Sequence, residues 1–322
     1  MTSPDATGSD KIAATWGGPG LRWRHDSHAE ELAAGGVWRR CGVCSEVEPL
    51  REVLLHWPGG ELVFDDDPNR HLMLGHVDLD MIRRQTEAIA AFYQAHGVAV
   101  HLHRPSQPPP PNMLFMRDLF FMTPLGAIIG RPASEQRAGE ARFATAVLAE
   151  LGIPILHTVR GRGWFEGADA LWLNAHTVAI GVGHRTNDEG AESVARVLAE
   201  SGVETVKVPM APPGQHLLGN VVLVDNDLAV VDQQRTSDEL ISVLRDHGFE
   251  LVLLAPSEEL RERRGMNFVT LAPGKIVMPD GCPEIRRCLE DKGVEIHTLD
   301  VGQYLVGGGG LACLTGIVAR RG

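Results

Sequence analysis

A pattern of strand, tight turn, strand, helix and strand recurs along the chain and constrains its fold more than any other feature. One copy consists of ALWLN, TVAIGVG, a helical stretch DEGAESVARVLAESG and VETVKVPM. Two further copies follow it, and earlier copies fit around DLFFMTP with GAIIGRP and around LREVLLHWP. The second strands begin near residues 126, 177, 228 and 275, so the period is roughly 50 residues, enough for one supersecondary unit.

Each unit carries an amphipathic helix, such as the apolar positions of MIRRQTEAIAAFYQAHG. A kelch propeller has a similar period, but its blades contain strands alone. Five of the present units can close into a ring, with helices outside and short sheets radiating from a central channel. We therefore predict an α/β fold with pseudo-fivefold repeats, in which residues 43–322 form a single domain. Such a ring gathers strand ends and loops at its axis, where function is expected.

Two segments stand apart from the repeats. Residues 1–42 are rich in Gly, Ala and charge with little periodicity, and we predict an N-terminal tail or a lid over the site. The stretch PSQPPPPN, residues 105–112, is predicted to be a stiff, extended spacer between core strands. The alternative for this stretch is a proline-rich ligand for a partner protein.

Composition excludes several classes of partner. The formal net charge of −12 makes nucleic acid a poor partner, because an acidic surface repels phosphate backbones. No apolar run approaches the roughly 20 residues of a membrane helix, and the N-terminus lacks the pattern of a signal peptide. An odd count of five cysteines favours reduced thiols and a cytoplasmic location. Cys41 and Cys44 are interpreted as spare thiols, since no second pair completes a zinc site.

Four segments at the starts or ends of core strands contain polar groups that a plain core would not select. Each falls at a similar point of its own repeat, and a fivefold arrangement would bring all of them to the axis. They are NMLFMRD (112–118), WFEGAD (164–169), GQHLLGN (214–220) and GGGGLACLT (307–315).

Four residues of these segments are candidates for chemistry. Cys313 follows four glycines, which allow the backbone to approach a ligand closely, and is a candidate nucleophile. The alternative is an inert buried cysteine. His216 is a candidate acid and base, or else a structural hydrogen-bond partner. Asp118 and Glu166 suit a planar guanidinium, whose paired N–H donors match carboxylates, although solvated or capping roles are also common at strand starts.

These segments resemble the motifs of the arginine deiminase and amidinotransferase superfamily, the guanidino-group-modifying enzymes or penteins. NMLFMRD is similar to its Asn-x-x-Phe-x-Arg-Asp motif, and FEGAD to its Glu-Gly-Gly-Asp motif with Ala168 replacing the second glycine. The His216 segment is similar to its His-Leu-Asp motif, and GGGGLACLT to its catalytic loop. The resemblance extends from about residue 43 to the end, in the correct order. It implies a five-bladed α/β propeller.

The resemblance assigns roles to individual residues. It makes Cys313 the nucleophile, His216 the general acid and base, and Asp118 and Glu166 the carboxylates that bind guanidinium. The positions that it implies for contact with the substrate's α-carboxylate or neighbouring groups are Asn112, Arg137 and Arg185, with Asp169 and Leu218 also counted among the substrate-binding positions. The alternative for the two arginines is a surface ion pair.

Two positions depart from the family pattern. Leu218 stands where the His-Leu-Asp motif has its aspartate, so a guanidino NH2 facing it would lack an acceptor. An Nω-substituted nitrogen would fit better there. Ala312 stands where methylarginine hydrolases and amidinotransferases commonly have histidine. Both departures leave the chemistry intact and bear on the substrate.

The sequence therefore predicts a C–N hydrolase of linear amidines, of the deiminase or dimethylargininase type. It would act on arginine or an Nω-substituted arginine through a thiouronium intermediate on Cys313. The alternative is an amidinotransferase that passes the amidino group to an amine. A binding protein without activity is a third hypothesis, against which the retention of Cys313 and His216 argues. The reaction requires neither a metal nor an organic cofactor. The expected partner is a small guanidino compound, with a homodimer left open.

Overall fold

The computed structural model describes residues 13–210 and 214–320, and these contain five sheets of three strands each. The sheet orders are β15-β1-β2, β3-β4-β5, β6-β7-β8, β9-β10-β11 and β12-β13-β14. The strands are β1 (Leu50–His56), β2 (Ala99–His103), β3 (Phe120–Thr123), β4 (Gly126–Ile129), β5 (Ile155–Thr158), β6 (Ala170–Asn174), β7 (Thr177–Val182), β8 (Glu204–Pro209), β9 (Val221–Asp225), β10 (Leu228–Asp232), β11 (Glu250–Leu254), β12 (Val269–Ala272), β13 (Lys275–Pro279), β14 (Glu295–Leu299) and β15 (Gly316–Arg320).

Every sheet is mixed, with a central strand that is antiparallel to one neighbour and parallel to the other. A parallel pair needs a long crossover, and a helix fills it in each unit. The crossover helices are α2 (Leu79–Ala95), α3 (Glu140–Glu150), α4 (Asp188–Ala199), α5 (Asp238–Asp246) and α7 (Pro283–Glu290). The remaining helices are α1 (His28–Ala34), α6 (Glu258–Arg261), α8 (Gly302–Val306) and α9 (Leu311–Leu314).

The predicted pseudo-repeat is confirmed. The central strands β4, β7, β10 and β13 begin at residues 126, 177, 228 and 275, where the second strand of each unit was predicted. These strands read as nearly continuous apolar runs because both of their faces are covered; in β7, Val178, Ala179 and Ile180 are fully buried. The description that the strand pairing supports is an α/β fold of small mixed sheets.

The helices show why these stretches fold locally. Helix α4 begins after Asn187, whose side chain accepts a hydrogen bond from the backbone N–H of Gly190. Asp188 lies in the first turn of the helix, where its negative charge interacts favourably with the positive end of the helix dipole. Val194 is fully buried on the inner face of the helix, as the apolar periodicity requires.

The first sheet is completed by the other end of the chain. Strand β15 pairs antiparallel with β1, with Ile317 opposite Val53. The backbone N–H of Gly42 also donates to the carbonyl of Val318 at 3.2 Å. No strand after residue 315 was predicted from the sequence, and the structure adds β15 there.

The segment before the first sheet packs on the second sheet. Residues 1–12 of the predicted tail or lid lie outside the described residues. Helix α1 starts at a capping box formed by Ser27 and Glu30. His28 Nε2 lies 2.9 Å from the carbonyl oxygen of Leu125 in the β3–β4 turn. The lining of the cavity described below contains none of the described residues of this segment.

No helix in the described part of the chain combines the length and the apolar character that a membrane crossing requires.

Candidate active site

The four polar segments lie together at the starts of strands. Three of them contain a 3-10 turn that precedes a strand, Met116–Asp118 before β3, Gly167–Asp169 before β6 and Leu217–Gly219 before β9. The fourth forms helix α9 before β15. Helix α9 contacts the first of these turns, which contacts the second, which in turn contacts the third. The repeat therefore brings to one place residues that are about 200 positions apart in sequence.

Close backbone approach explains the glycine that opens the second turn. A side chain at Gly167 would collide with the carbonyl oxygen of Phe120 and would crowd that of Arg117. Ala168, which replaces the second glycine of the family motif, is 3% exposed and lines the cavity without such a collision. The turns at residues 116–118 and 167–169 thus pack against each other without room for a larger residue at position 167.

His216 is held between two buried carboxylates. Its Nε2 lies 2.7 Å from Oε2 of Glu166, and its Nδ1 lies 3.9 Å from Oδ1 of Asp118. Glu166 is fully buried and also accepts a hydrogen bond from the backbone N–H of Ala133 at 3.2 Å. Oδ1 of Asp118 is buried without a hydrogen-bond partner among the described residues. The imidazole is therefore fixed by a charged partner and faces a second one.

This arrangement keeps a proton on His216. Burial by itself lowers the pKa of the ring, but the charges of Asp118 and Glu166 and the hydrogen bond to Glu166 outweigh it and raise the pKa to about 10. Burial would raise the pKa of Glu166, but the charge of Arg137 and the bond to His216 hold it well below its usual range. At neutral pH the pair is an imidazolium and a carboxylate.

Arg137 is a buried partner of three carboxylates. Its Nη1 donates to Asp118 Oδ2 at 2.7 Å and to Glu166 Oε2 at 3.1 Å, and its Nη2 donates to Glu140 Oε2 at 2.8 Å. Burial raises the pKa of Glu140 to about 7, against the charge of Arg137. Arg185 Nη1 lies 3.4 Å from Glu166 Oε1. Both arginines bind the chain's own carboxylates and lie outside the cavity lining, so their contact with a substrate carboxylate stays a prediction.

Asp169 fixes the turn that follows His216. The Asp169 carboxylate accepts hydrogen bonds from Thr186 Oγ1 at 2.6 Å and from the backbone N–H of Leu217 at 2.9 Å. Burial raises the pKa of Asp169 to about 7, although the charge of His216 opposes this. Asp169 is 1% exposed and lies outside the cavity lining. Its contacts in the structure therefore position His216, and direct contact with substrate stays a prediction.

Asn112 lies in a different environment. It belongs to the 3-10 turn Pro111–Leu114, is 5% exposed and donates its side-chain N–H to the carbonyl oxygen of His71. It does not line the cavity. The structure therefore brings together Cys313, His216 and Leu218 in one cavity and leaves Asn112 apart from them.

Asn267, which was not predicted from the sequence, holds the loop of Cys313. Its Nδ2 donates to Cys313 Sγ at 3.0 Å, and its Oδ1 accepts from the backbone N–H groups of Ala312 at 2.7 Å and Cys313 at 3.2 Å. A side chain at Gly310 would lie 2.7 Å from Asn267 Oδ1, so the glycine lets the loop close on this amide. The Asn267 side chain therefore fixes the sulfur and the backbone of Cys313 at the wall of the cavity. The position of Asn267 just before β12, like that of Asp118 before β3, was the available signal.

Cys313 and His216 line the same cavity, of about 290 Å³. This volume is at the lower end of small-molecule sites. Leu218 and Ala312, the two departures from the family pattern, line it as well. Asn220 also lines it and is 1% exposed; its Nδ2 donates to the carbonyl of Arg235 at 3.0 Å, while its Oδ1 has no hydrogen-bond partner among the described residues.

The structure also shows the other thiols and one group of possible metal ligands among the described residues. All five cysteines are free, and burial raises the pKa of Cys41 to about 11, so this thiol stays protonated. Among the described residues, Asp118, Glu166 and His216 place ligand atoms within 4.8 Å of one another. Arg137 already donates to both of these carboxylates, and its charge would repel a cation there.

Several curated relatives are named arginine deiminase. An arginine deiminase of Mycobacterium marinum is 29% identical over 248 residues, which are 66% of this chain and 61% of that protein. An arginine deiminase of Clostridium perfringens is 23% identical over 250 residues, 64% of this chain and 60% of that protein. The chain thus spans about three fifths of the length of these relatives.

Solved structures share the fold at low identity. The DDAH of Pseudomonas aeruginosa complexed with citrulline superposes with a TM-score of 0.67 at 22% identity, covering 85% of this chain and 100% of that one. SxtG, an amidinotransferase from Microseira wollei, superposes with a TM-score of 0.72 at 16% identity, covering 88% and 98%. A sequence profile described as arginine deiminase matches residues 70–231 and 221–320, well over half of the chain. The chain therefore belongs to the arginine deiminase family.

Proposed function

We propose that this protein hydrolyses a C–N bond in the guanidino group of arginine or an Nω-substituted arginine, through a covalent intermediate on Cys313. The observation that carries the proposal is the cavity in which Cys313, with the Asn267 amide on its sulfur, lies alongside His216. The names of the relatives, arginine deiminase and DDAH, support the same reaction class.

The reaction has two halves. The Cys313 thiolate attacks the guanidinium carbon, and the C–N bond to the departing amine breaks as His216 gives that nitrogen its proton. A thiouronium group remains on the sulfur. The now neutral His216 takes a proton from water as the water attacks the same carbon. The C–S bond then breaks, which releases a ureido product and regenerates the thiolate.

The carboxylates support the charges of this cycle. Glu166 holds the imidazolium, and a proton on His216 at neutral pH is what the first half requires. Oδ1 of Asp118 is buried without a hydrogen-bond partner among the described residues, and neither Asp118 nor Glu166 lines the cavity, so a bond from Asp118 to a substrate guanidinium N–H is part of the proposal. The role of Asp118 and Glu166 as a complete guanidinium-binding pair is a proposal, because Arg137 donates to both.

Leu218 favours a substituted substrate. It is 8% exposed and gives the cavity an apolar surface where the family motif has aspartate. A methyl-bearing nitrogen needs no acceptor at that surface, whereas an unsubstituted NH2 does. Asn220 also lines the cavity, and its Oδ1 is an acceptor without a partner among the described residues that could serve a nitrogen not facing Leu218.

We also propose that the five sheets are the blades of one α/β propeller, formed by residues 43–322. Contacts between β15 and β3, between β9 and β12, and between β12 and β1 support a ring. The 3-10 turns before β6 and β9 contact the strands on either side of them and link the remaining sheets. In this arrangement the site lies where the five units meet.

Product analysis tests the proposed function. The protein is incubated with arginine, methylated arginines and a panel of amines, and the products are identified by mass spectrometry. Citrulline with ammonia or a methylamine would support hydrolysis, and Cys313→Ser should form neither. Recovery of the amidino group on an added amine would show that the protein is an amidinotransferase and not a hydrolase. Turnover by Cys313→Ser at a tenth of the wild-type rate or more would remove the covalent mechanism, since a nucleophile contributes several kcal/mol.

A further inference from the structure

Arginine side chains give the cavity a strong positive charge. Four of the residues that line it are Arg117, Arg235, Arg261 and Arg264, and no Asp or Glu lines it in the part of the chain that the structure describes. Residues 211–213, outside that part, are Ala-Pro-Pro and add no charged side chain. The whole chain has a net charge of −12, so this local excess runs against its overall balance.

Two of these four charges are balanced within the chain. Arg117 Nη2 lies 2.9 Å from Glu46 Oε2, and the side chain of Arg117 is largely buried. Arg235 Nε lies 3.6 Å from Asp232 Oδ2. The charges of these two arginines are therefore neutralised by carboxylates that do not line the cavity.

The other two charges are not balanced. Arg261 Nη2 donates to the amide oxygen of Gln234 at 2.5 Å, and Arg264 Nη1 donates to that of Gln215 at 3.4 Å. Within residues 13–210 and 214–320, neither guanidinium has a carboxylate within 4.0 Å. Amide oxygens satisfy hydrogen bonds but carry no net charge, so two positive charges remain available to a ligand.

The backbone at Arg264 is also unusual. Its φ of 50° lies in the left-handed region, which residues other than glycine seldom adopt. Such outliers persist where surrounding structure holds them and are found at ligand sites. The residue after it is Gly265, yet the left-handed conformation falls on the arginine that lines the cavity.

We infer that the natural substrate bears a dianionic tail, a dicarboxylate or a phosphate monoester, which Arg261 and Arg264 bind while the guanidino end reaches Cys313. This inference rests on the C–N hydrolysis of the proposed function and changes the other end of its substrate, where the dianionic tail replaces the amino-acid group of arginine. Two uncompensated guanidinium groups match two negative charges, and the planar fork of arginine binds carboxylate or phosphate oxygens in pairs. Arginine itself fits less well, because its α-ammonium would meet these guanidinium groups and no carboxylate of the lining.

A series of tails on nearly the same guanidinoalkyl chain tests the inference by binding. The probes are agmatine, arginine, (3-guanidinopropyl)malonate, which is arginine with carboxylate in place of the ammonium, and 4-guanidinobutyl phosphate. Affinities are measured by calorimetry on Cys313→Ser, so that no probe is consumed. The malonate or the phosphate should bind about tenfold or more tightly than arginine, with agmatine weakest, and salt should reduce the difference. The order of the malonate and the phosphate identifies the tail.

Matched variants test the residues. In the Cys313→Ser background, Arg261→Gln and Arg264→Gln should each remove most of the advantage of the dianionic probe over arginine. Arg263→Gln, in the same segment but outside the cavity lining, should keep it. Arginine binding as tightly as both dianionic probes would overturn the inference, and so would an equal loss in Arg263→Gln.

Wild-type turnover of the same probes separates this inference from the proposed function. Hydrolysis of arginine in preference to both dianionic probes would overturn the inference of a dianionic tail. It would leave the proposed C–N hydrolysis standing. Tight binding of a dianionic probe without any C–N cleavage in the wild type would overturn the proposed hydrolysis. It would leave the binding site for a dianionic tail standing.

Discussion

The proton of His216 depends on the charges packed around it. In water an imidazole has a pKa near 6.5, so most of it is neutral at pH 7. Here Asp118 and Glu166 raise the pKa of His216 to about 10, after burial alone would have lowered it. An imidazolium is thus present at neutral pH, as the proposed role of His216 as general acid and then base requires.

Glu166→Gln should move the alkaline limb of the kcat–pH profile to lower pH. The proposed mechanism needs protonated His216, so activity should fall as pH rises through the pKa of that group, about 10 in the wild type. Glutamine removes the charge at 2.7 Å, and the limb should shift towards the ordinary histidine value. Rates measured from pH 6 to 11 check this. Glu192→Gln, whose carboxylate is exposed, is the control, and an unmoved limb in Glu166→Gln would remove Glu166 from this role.

The same shift links pH to stability. Because the pKa of His216 is higher in the folded chain than in the unfolded chain, protonation of this group favours the fold. That contribution is fully present below about pH 6.5, the unfolded value, and is lost as pH rises through about 10. Glu166→Gln should flatten this dependence.

Leu218→Asp should shift substrate preference towards unmodified arginine. The wild type should favour an Nω-substituted arginine, because Leu218 offers no acceptor to a free NH2 in the cavity. Comparing kcat/KM for arginine and methylated arginines in both proteins checks this, with Leu218→Met as the apolar control. A wild-type preference for arginine of about tenfold, or about 1.4 kcal/mol, would show the idea to be wrong.

Elements in this protein are joined through the turns that precede their strands. The turn before β6 supplies Asp169, which binds the backbone of the turn before β9 through the N–H of Leu217. Thr186, which follows β7, donates its hydroxyl to the same carboxylate. One buried aspartate thus holds together parts of two neighbouring sheets and fixes the approach of His216 to Glu166.

Thr186→Val should lower the free energy of unfolding by about 1–3 kcal/mol, since it removes a hydrogen bond to a buried carboxylate. The loss should be larger at pH 8 than at pH 5.5. Burial raises the pKa of Asp169 to about 7, and the ionised form present above that value depends more on the hydroxyl. Urea unfolding at both pH values checks this. The control is Thr298→Val on the exposed face of β14, and equal losses in the two variants would contradict the prediction.

The elements themselves were largely predictable, whereas the contacts between their side chains were not. Central strands such as β7 are local apolar runs bounded by turns, which sequence periodicity detects. The bonds of Arg137 to Asp118 and Glu166 depend on which turns meet in space, and sequence spacing carries no such information. Asn267 was not predicted for the same reason. Its role depends on its hydrogen bond to Cys313, which lies 46 residues later in the sequence.

At the scale of the whole molecule, the first two strands and the last strand share one sheet. Four sheets are built from strands that are consecutive in sequence, and the fifth combines β1 and β2 with β15. The repeat period predicted the number of units, but it could not predict this partner, because Leu50 pairs with Arg320 at the far end of the chain. The position of Cys313 depends on this pairing as well, because Cys313 lies just before β15 in the sequence.

Ile317→Ala should therefore destabilise the whole molecule. Ile317 is 4% exposed and pairs with Val53 in the sheet that joins both ends of the chain. Removing a buried isoleucine side chain costs about 2–5 kcal/mol, and loss of this pairing should lower the unfolding midpoint of the entire chain. Urea unfolding followed by circular dichroism and tryptophan fluorescence checks this, with coincident curves expected. Leu253→Ala on β11, at a side chain that is 40% exposed, should have a much smaller effect. Two separate transitions in Ile317→Ala, or an equal loss in Leu253→Ala, would mean that β15 does not hold the molecule together.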